Sequence, residues 1–134
     1  MDMPVPSPSI LARKDRIVAR LQAALPADAV IHDPQEVLAY ECDALSAYRC
    51  PPLVAVLPRT TAEVSAVLRI CHEEGVPVVP RGAGTSLAGG ALPTADSVIL
   101  GVARMTEVLE VSFPDRFIRV QTGRTNLSVS GATE

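Results

Sequence analysis

The residues best suited to chemistry lie in one stretch, 81–90, where an apolar run gives way to four glycines, two hydroxyl side chains and an arginine. Glycines let the backbone adopt positive φ and let another molecule approach closely. Successive backbone N–H groups in such a loop can hold an anion, and hydroxyls and a guanidinium add further donors. The stretch therefore predicts a phosphate or pyrophosphate site, with a plain flexible loop after a strand as the alternative. The predicted binding residues are Arg81, Gly82, Ala83, Gly84, Thr85, Ser86, Leu87, Gly89 and Gly90, and the backbone of 82–86 is expected to matter more than any side chain.

Three familiar glycine motifs do not fit this stretch. The dinucleotide fingerprint has Leu87 where its third glycine belongs, and the P-loop pattern has Gly90 where it needs lysine. The nucleophile elbow of hydrolases has Ala88 in place of its last glycine, and both histidines precede the loop rather than follow it. Each pattern lacks a residue that its mechanism needs.

The elements around the stretch predict where it lies in the fold. The valine-rich run 53–57 is typical of a strand buried on both faces, and 76–79 is predicted to be a second such strand. Between them, the capping-box order of residues 60–63 begins a helix that Gly75 ends. Strand, helix and strand with short joints predict a βαβ unit with parallel strands. The glycine stretch would then follow the carboxyl end of a parallel strand, where open α/β sheets bind their ligands.

The predicted fold class is α+β, with N-terminal helices, then the βαβ unit, then a hairpin. The proline-rich residues 1–8 are expected to be a disordered lead, and 9–134 to form one domain. The other predicted elements are a helix over 9–25 capped by Ser9, a short helix from Asp33 to about Cys42, a strand over 97–102, a hairpin of 107–111 with 117–121, and a final helix capped by Thr125.

Composition excludes several function classes. A net charge of −3 and 3% aromatic residues give no basic patch or stacking platform for nucleic acid. The three cysteines have no C-x-x-C spacing, so we predict free thiols, a cytoplasmic location and no metal site. No apolar run reaches the roughly 20 residues of a membrane-spanning helix.

The whole string from about Val37 to Leu127 resembles FAD-linked oxidases of the vanillyl-alcohol-oxidase type, which carry a PCMH-type FAD-binding domain. Within that family it is most similar to the FAD-linked subunits of glycolate oxidases and to D-lactate dehydrogenases. The matching segments are 40–43, 52–64, 78–90, 98–111 and 120–123. The residues after Leu127 depart from the family's alanine-rich pattern.

The resemblance implies that residues 80–90 hold the pyrophosphate of FAD, and that the chain forms the first half of the FAD-binding domain. It also implies a parent enzyme that oxidises a small 2-hydroxy acid such as glycolate or D-lactate, with other oxidase subunits as partners. Such partners would give it a peripheral position at the inner membrane face. No catalytic residue is predicted, because the family's substrate-facing residues come later than Glu134. We therefore expect a C-terminally truncated, inactive fragment; a non-catalytic nucleotide-binding or interaction module is the alternative.

Overall fold

The computed structural model describes residues 3–133, which form two sheets, four α-helices and two short 3₁₀ helices. The helices are α1 (Pro8–Leu11), α2 (Lys14–Ala24), α3 (Thr61–Glu74) and α4 (Asn126–Ser130). The strands are β1 (Val30–Ile31), β2 (Val54–Val56), β3 (Val78–Arg81), β4 (Val98–Gly101), β5 (Val108–Ser112) and β6 (Phe117–Val120). The 3₁₀ helices are Ala27–Ala29 and Glu36–Tyr40. The predicted α+β fold class is confirmed.

The larger sheet has the order β1-β2-β4-β3. β4 is parallel to both β2 and β3, so the two strands of the predicted βαβ unit run parallel, as expected. They are not neighbours, because β4 lies between them. β1, which the sequence analysis missed, pairs antiparallel with β2 at the opposite edge.

The prediction that 76–79 is a strand buried on both faces was wrong. β3 begins at Val78, runs on to Arg81 and is only partly buried at the edge of the sheet. Pro80 explains this position, since a proline has no N–H to donate and is confined to edge strands. The consequence for the site is that Arg81 belongs to the strand, and the loop begins at Gly82.

α3 begins and ends as its sequence predicts. The Thr60 hydroxyl accepts a hydrogen bond from the Glu63 amide at 3.2 Å, which caps the helix. Gly75 follows the last turn with a left-handed φ of 63°. The apolar stripe of α3 packs with α2 against the sheet, and both helices contribute fully buried side chains to the core, among them Ile17, Leu21 and Val67.

The N-terminal helix predicted over 9–25 is two helices instead. It begins at Pro8 rather than at Ser9, and it breaks between Leu11 and Lys14, where Arg13 leaves the helical geometry with φ −103° and ψ 10°. The Arg13 guanidinium donates to the Glu74 carboxylate at 2.7 Å and to the Glu74 carbonyl at 3.0 Å. This contact with α3 across 61 residues accounts for the break.

Glu74 is the charged anchor between the N-terminal helices and α3. Its side chain is 1% exposed and also forms ion pairs with Arg16 at 3.0 Å and Arg20 at 2.7 Å. The hydrogen bond from Arg20, with the neighbouring positive charges, lowers the pKa of Glu74 below its ordinary value. The carboxylate is therefore held charged among arginines.

The remaining predicted elements differ only in detail. The segment begun by Asp33 is a 3₁₀ helix, Glu36–Tyr40, and the Asp33 carboxylate accepts from the Gln35 amide at 2.8 Å, as a cap should. The hairpin is confirmed as β5 and β6, paired antiparallel in a separate two-stranded sheet. Thr125 caps α4 by accepting from the Ser128 amide.

The disordered lead predicted over residues 1–8 does not include its last two residues. Pro8 lies in α1, and the Ser7 N–H donates to Oδ2 of Asp96 at 2.8 Å. Met1 and Asp2 lie outside the described residues. Within residues 3–133, no helix has the length and apolar character needed to cross a membrane.

Candidate ligand-binding site

The glycine loop leaves the carboxyl end of β3, at the same end of the sheet where parallel β4 ends at Gly101. Arg81 pairs with Gly101 in the ladder, and the Arg81 carbonyl accepts from the Val102 amide at 2.9 Å. Residues 82–90 then run over the surface without regular structure. The loop is therefore fixed at its root and exposed beyond it, as the prediction of a ligand loop required.

The backbone amides of the loop are free. None of the N–H groups of residues 82–87 donates a hydrogen bond to an atom of residues 3–133, and the first loop amide that does is Ala88, to the Ser86 hydroxyl at 3.2 Å. Gly84 and Gly89 have φ values of 71° and 75°, in the region that favours glycine. Free amides in a largely exposed loop, whose conformation depends on glycines with positive φ, are available to an anion.

The side chains of the loop differ in what they can offer. Thr85 is exposed and its hydroxyl makes no hydrogen bond within the described residues, whereas the Ser86 hydroxyl is already used inside the loop. Leu87 is 75% exposed. Gly90 lies beside Ser86, since a Cβ added to it would be 3.6 Å from the Ser86 hydroxyl. Gly89 closes the loop through its carbonyl, which accepts from the Leu92 amide at 3.1 Å.

Arg81 does not extend freely toward solvent. Its Nη1 donates to the Cys42 carbonyl at 2.7 Å, and its guanidinium carbon lies 5.8 Å from the centre of the Tyr40 ring. A Cβ added at Gly84 would lie 2.2 Å from Nη2 of Arg81, so the glycine leaves room for the guanidinium. Arg81 thus joins the loop to the segment that follows the 3₁₀ helix Glu36–Tyr40.

A cavity of about 430 Å³ lies next to the root of the loop. Of the predicted binding residues, only Gly82 and Ala83 line it. The rest of the lining comes from the turn after β4 and from the segment that leads from β6 into α4, namely Ala103, Thr106, Thr122, Gly123, Arg124, Thr125 and Ser128. The sequence analysis missed this second wall, because nothing in the local pattern of 122–128 indicates a ligand.

The turn after β4 and the segment 122–128, which supply most of the cavity lining, contact each other directly. The Gly123 amide donates to the Met105 carbonyl at 2.8 Å, and a Cβ at Gly123 would lie 2.0 Å from the Val102 carbonyl oxygen. Arg124 donates from Nη1 to the Thr106 carbonyl at 2.9 Å. Only a residue without a side chain fits at position 123, so glycine there permits the cavity to form.

The return of the chain from the loop to β4 is also fixed. The Asp96 carboxylate accepts from the Ser7 amide and from the Thr94 hydroxyl, both at 2.8 Å. The hydrogen bond from Ser7 is the main reason that the pKa of Asp96 lies below its ordinary value. Both ends of the loop are therefore anchored, while its middle keeps its amides free.

Comparison with known proteins identifies the family. A family model described as FAD binding domain matches residues 52–133. The chain is 46% identical over 116 residues to the glycolate oxidase subunit GlcD of Escherichia coli strain K12, a match that covers 87% of this chain and 23% of that protein. It is 39% identical to the mitochondrial D-2-hydroxyglutarate dehydrogenase of Bos taurus, over 80% of this chain and 19% of the relative. The chain thus spans about a quarter or less of the curated relatives that it matches.

The fold is shared with part of several longer chains of known structure. The p-cresol methylhydroxylase structure with substrate bound superimposes with a TM-score of 0.80 at 21% identity, over 95% of this chain and 25% of that one. At that identity the likeness shows the fold alone. Together with the family match over more than half of the sequence, it shows that this chain belongs to the FAD-binding domain family, whose cofactor is FAD.

Proposed function

We propose that the chain is the pyrophosphate-holding part of an FAD-dependent oxidoreductase that oxidises a 2-hydroxy acid. The pyrophosphate would be held by residues 81–90, chiefly by the amides of 82–86. The observation that carries the proposal is that these amides have no acceptor within residues 3–133 and belong to residues that are exposed or partly exposed. A buried or fully paired loop could not serve in this way.

The residues present fit a diphosphate. Its oxygens accept several hydrogen bonds at once, and a run of free amides supplies donors without the cost of removing internal partners. Gly82 has open space around it, with no atom within 4 Å of an added Cβ, so a ligand can approach the backbone there. The exposed Thr85 hydroxyl adds a donor. When bound, FAD supplies the two-electron redox chemistry; this chain's residues bind and orient the cofactor.

The substrate class follows from the relatives. The names of the Escherichia coli and Bos taurus proteins refer to glycolate and to D-2-hydroxyglutarate, and both compounds are 2-hydroxy acids. A shared 2-hydroxycarboxylate chemistry is therefore the proposal for the protein to which this chain contributes. Because the Escherichia coli relative is named as a subunit, partner subunits belong to the same proposal.

The chain by itself is expected to hold FAD weakly. A charge-assisted hydrogen bond contributes about 1.5–3 kcal/mol. Three or four of them offset little more than the roughly 4–15 kcal/mol that association costs. Retention of FAD and turnover are therefore tested where the rest of the binding surface is present, whereas weak binding to individual amides can be followed on the chain itself.

The test is a chimaera of the Escherichia coli glycolate oxidase subunit in which the matched 116 residues are replaced by those of this chain. We expect the purified chimaera to be yellow, to release FAD on denaturation and to reduce an electron-accepting dye with glycolate. Gly84→Ala, which adds a Cβ at a φ of 71°, should lower the FAD content. Gly82→Ala adds a Cβ that meets no protein atom, so it should leave folding unchanged and report on ligand approach to that backbone alone.

Two outcomes would contradict the proposal. A folded chimaera that retains no flavin would show that this segment does not perform the function of its relative. A chimaera whose FAD content is unaffected by Gly84→Ala would show that the loop is not the pyrophosphate site. A colourless chimaera that still binds ADP would favour the non-catalytic nucleotide-binding module.

A further inference from the structure

The lining of the cavity at the root of the glycine loop carries positive charge and no negative charge. Its lining contains four hydroxyl side chains, no carboxylate and one charged residue, Arg124. Gly82 and Ala83, whose amides are free, line the same cavity as the segment 122–128. A cavity with backbone and side-chain donors, a single positive charge and no negative one favours an anionic ligand.

Arg124 is incompletely satisfied in the described structure. Its Nη1 donates to the Thr106 carbonyl at 2.9 Å and its Nη2 to the Ser128 carbonyl at 3.0 Å. Its Nε is buried and has no partner among the described residues. A guanidinium has five N–H donors, so two further Nη hydrogens are also unused. The side chain is held in place by two carbonyls and keeps donors for an incoming acceptor.

The Arg81 guanidinium, by contrast, is engaged by other parts of the protein. Arg81 does not line this cavity. Its guanidinium is engaged by the Cys42 carbonyl and the Tyr40 ring, and it fills the space left by the missing side chain of Gly84. A guanidinium against an aromatic face, with a short hydrogen bond to a carbonyl, holds a segment in place.

We propose that the two arginines have different roles. Arg124 supplies the positive charge to the phosphate group bound in the cavity, and Arg81 is a positioning residue for the loop. The assignment rests on the proposed function, because the ligand is taken to be a diphosphate. It goes beyond that function by naming a phosphate contact outside the glycine loop and by removing Arg81 from direct contact.

The role of the Arg124 charge is tested by titrating the 134-residue chain with inorganic pyrophosphate. Binding is measured by calorimetry or from amide chemical shifts. Arg124→Gln should weaken binding about 10- to 100-fold, the loss of one charge-assisted hydrogen bond. Arg124→Lys, which also lacks the guanidinium but keeps the charge, should recover part of that loss. Arg69→Gln on the exposed face of α3 makes the same change in net charge and should leave binding unchanged.

The role of Arg81 is tested without any ligand, by ¹H–¹⁵N heteronuclear NOE values of the loop amides. Arg81→Ala and Tyr40→Ala should each lower the NOE of Gly82 and Gly84, and the double variant should do little more than either alone. Tyr40→Phe, which keeps the ring face, should match the wild type. Arg124→Gln should not change the loop NOE values.

Each result decides the assignment. Equal pyrophosphate affinity in the wild type, Arg124→Lys and Arg124→Gln would overturn the role of Arg124, as would no binding by the wild type. Unchanged loop NOE values in Arg81→Ala, or pyrophosphate affinity that is lost in Arg81→Ala but kept in Tyr40→Ala, would overturn the role of Arg81. The FAD content of the chimaera reports on the proposed function separately, so the two failures can be told apart.

Discussion

Among the glycines of residues 3–133, Gly123 should be the one where an added methyl group is most destabilising. A Cβ there would lie 2.0 Å from the Val102 carbonyl oxygen and 2.9 Å from that of Met105. Both are backbone atoms, so no side-chain rotation can relieve the overlap. The same glycine donates its amide to the Met105 carbonyl at 2.8 Å, which joins the end of the hairpin to the turn after β4.

The cost of Gly123→Ala can be worked from these distances. Ordinary carbon–oxygen contacts of about 3.3–3.6 Å require the two segments to move apart by roughly 1.3–1.6 Å. Overpacking of this kind costs about 1–3 kcal/mol, and losing the hydrogen bond adds about 0.5–1.5 kcal/mol. An unfolding entropy of about 2.1 cal/mol/K per residue converts the combined loss into a fall in Tm of roughly 5–15 °C for this chain.

Thermal unfolding followed by circular dichroism measures this effect, with Gly82→Ala as the matched control. Both glycines line the same cavity, and Gly82 has a negative φ and open space around an added Cβ. We expect Gly82→Ala to leave Tm nearly unchanged. A Gly123→Ala variant as stable as the Gly82→Ala variant would refute the close approach of the two segments, and with it the geometry of the cavity.

Glu74→Gln should lower Tm at neutral pH more than Glu73→Gln, because the Glu74 side chain is 1% exposed and holds arginines from the N-terminal helices, whereas the Glu73 side chain is 48% exposed. Since the hydrogen bond from Arg20 lowers the pKa of Glu74, the carboxylate stabilises the fold above its ordinary pKa of 4.5, and the difference in Tm between wild type and Glu74→Gln should shrink as pH falls below that value. A difference that stays constant from pH 7 to acid would count against the ion pairs. Burial raises the pKa of the Cys71 thiol to about 11, so iodoacetamide at mildly alkaline pH should modify the partly exposed Cys42 well before Cys71. Equal labelling of the two, measured by peptide mass spectrometry, would show that Cys71 is not enclosed.

Local sequence patterns were sufficient for the elements whose signals lie within a few residues. The capping residues of α3, the antiparallel hairpin and the cap of α4 are each determined by side chains that contact their own segment. The position of the glycine loop at the carboxyl end of a parallel strand followed from the same kind of evidence. These features depend little on distant parts of the chain.

The errors arose where distant residues decide the outcome. The break between α1 and α2 depends on Arg13 reaching Glu74, and the order of strands in the sheet depends on β4, which no local pattern places between β2 and β3. An apolar run does not distinguish an edge strand from a central one. Pro80 was the residue that indicated an edge strand.

The site shows the same division. The glycines predicted a loop able to present free amides, but the hydrogen bond of the Arg81 guanidinium to the Cys42 carbonyl, 39 residues earlier, was not predicted. Arg124 was not noticed, because only the fold brings the segment 122–128 to the same cavity as Gly82. Of the cavity lining, the sequence pointed to Gly82 and Ala83, and the other lining residues required coordinates.

The most direct measurement is a titration of the ¹⁵N-labelled chain with FAD, compared with riboflavin, which lacks the pyrophosphate. The proposed function predicts saturable shifts of the amides of residues 82–86 with FAD and none of these shifts with riboflavin. Saturable binding of FAD that leaves those amides unmoved would contradict the loop as the pyrophosphate site.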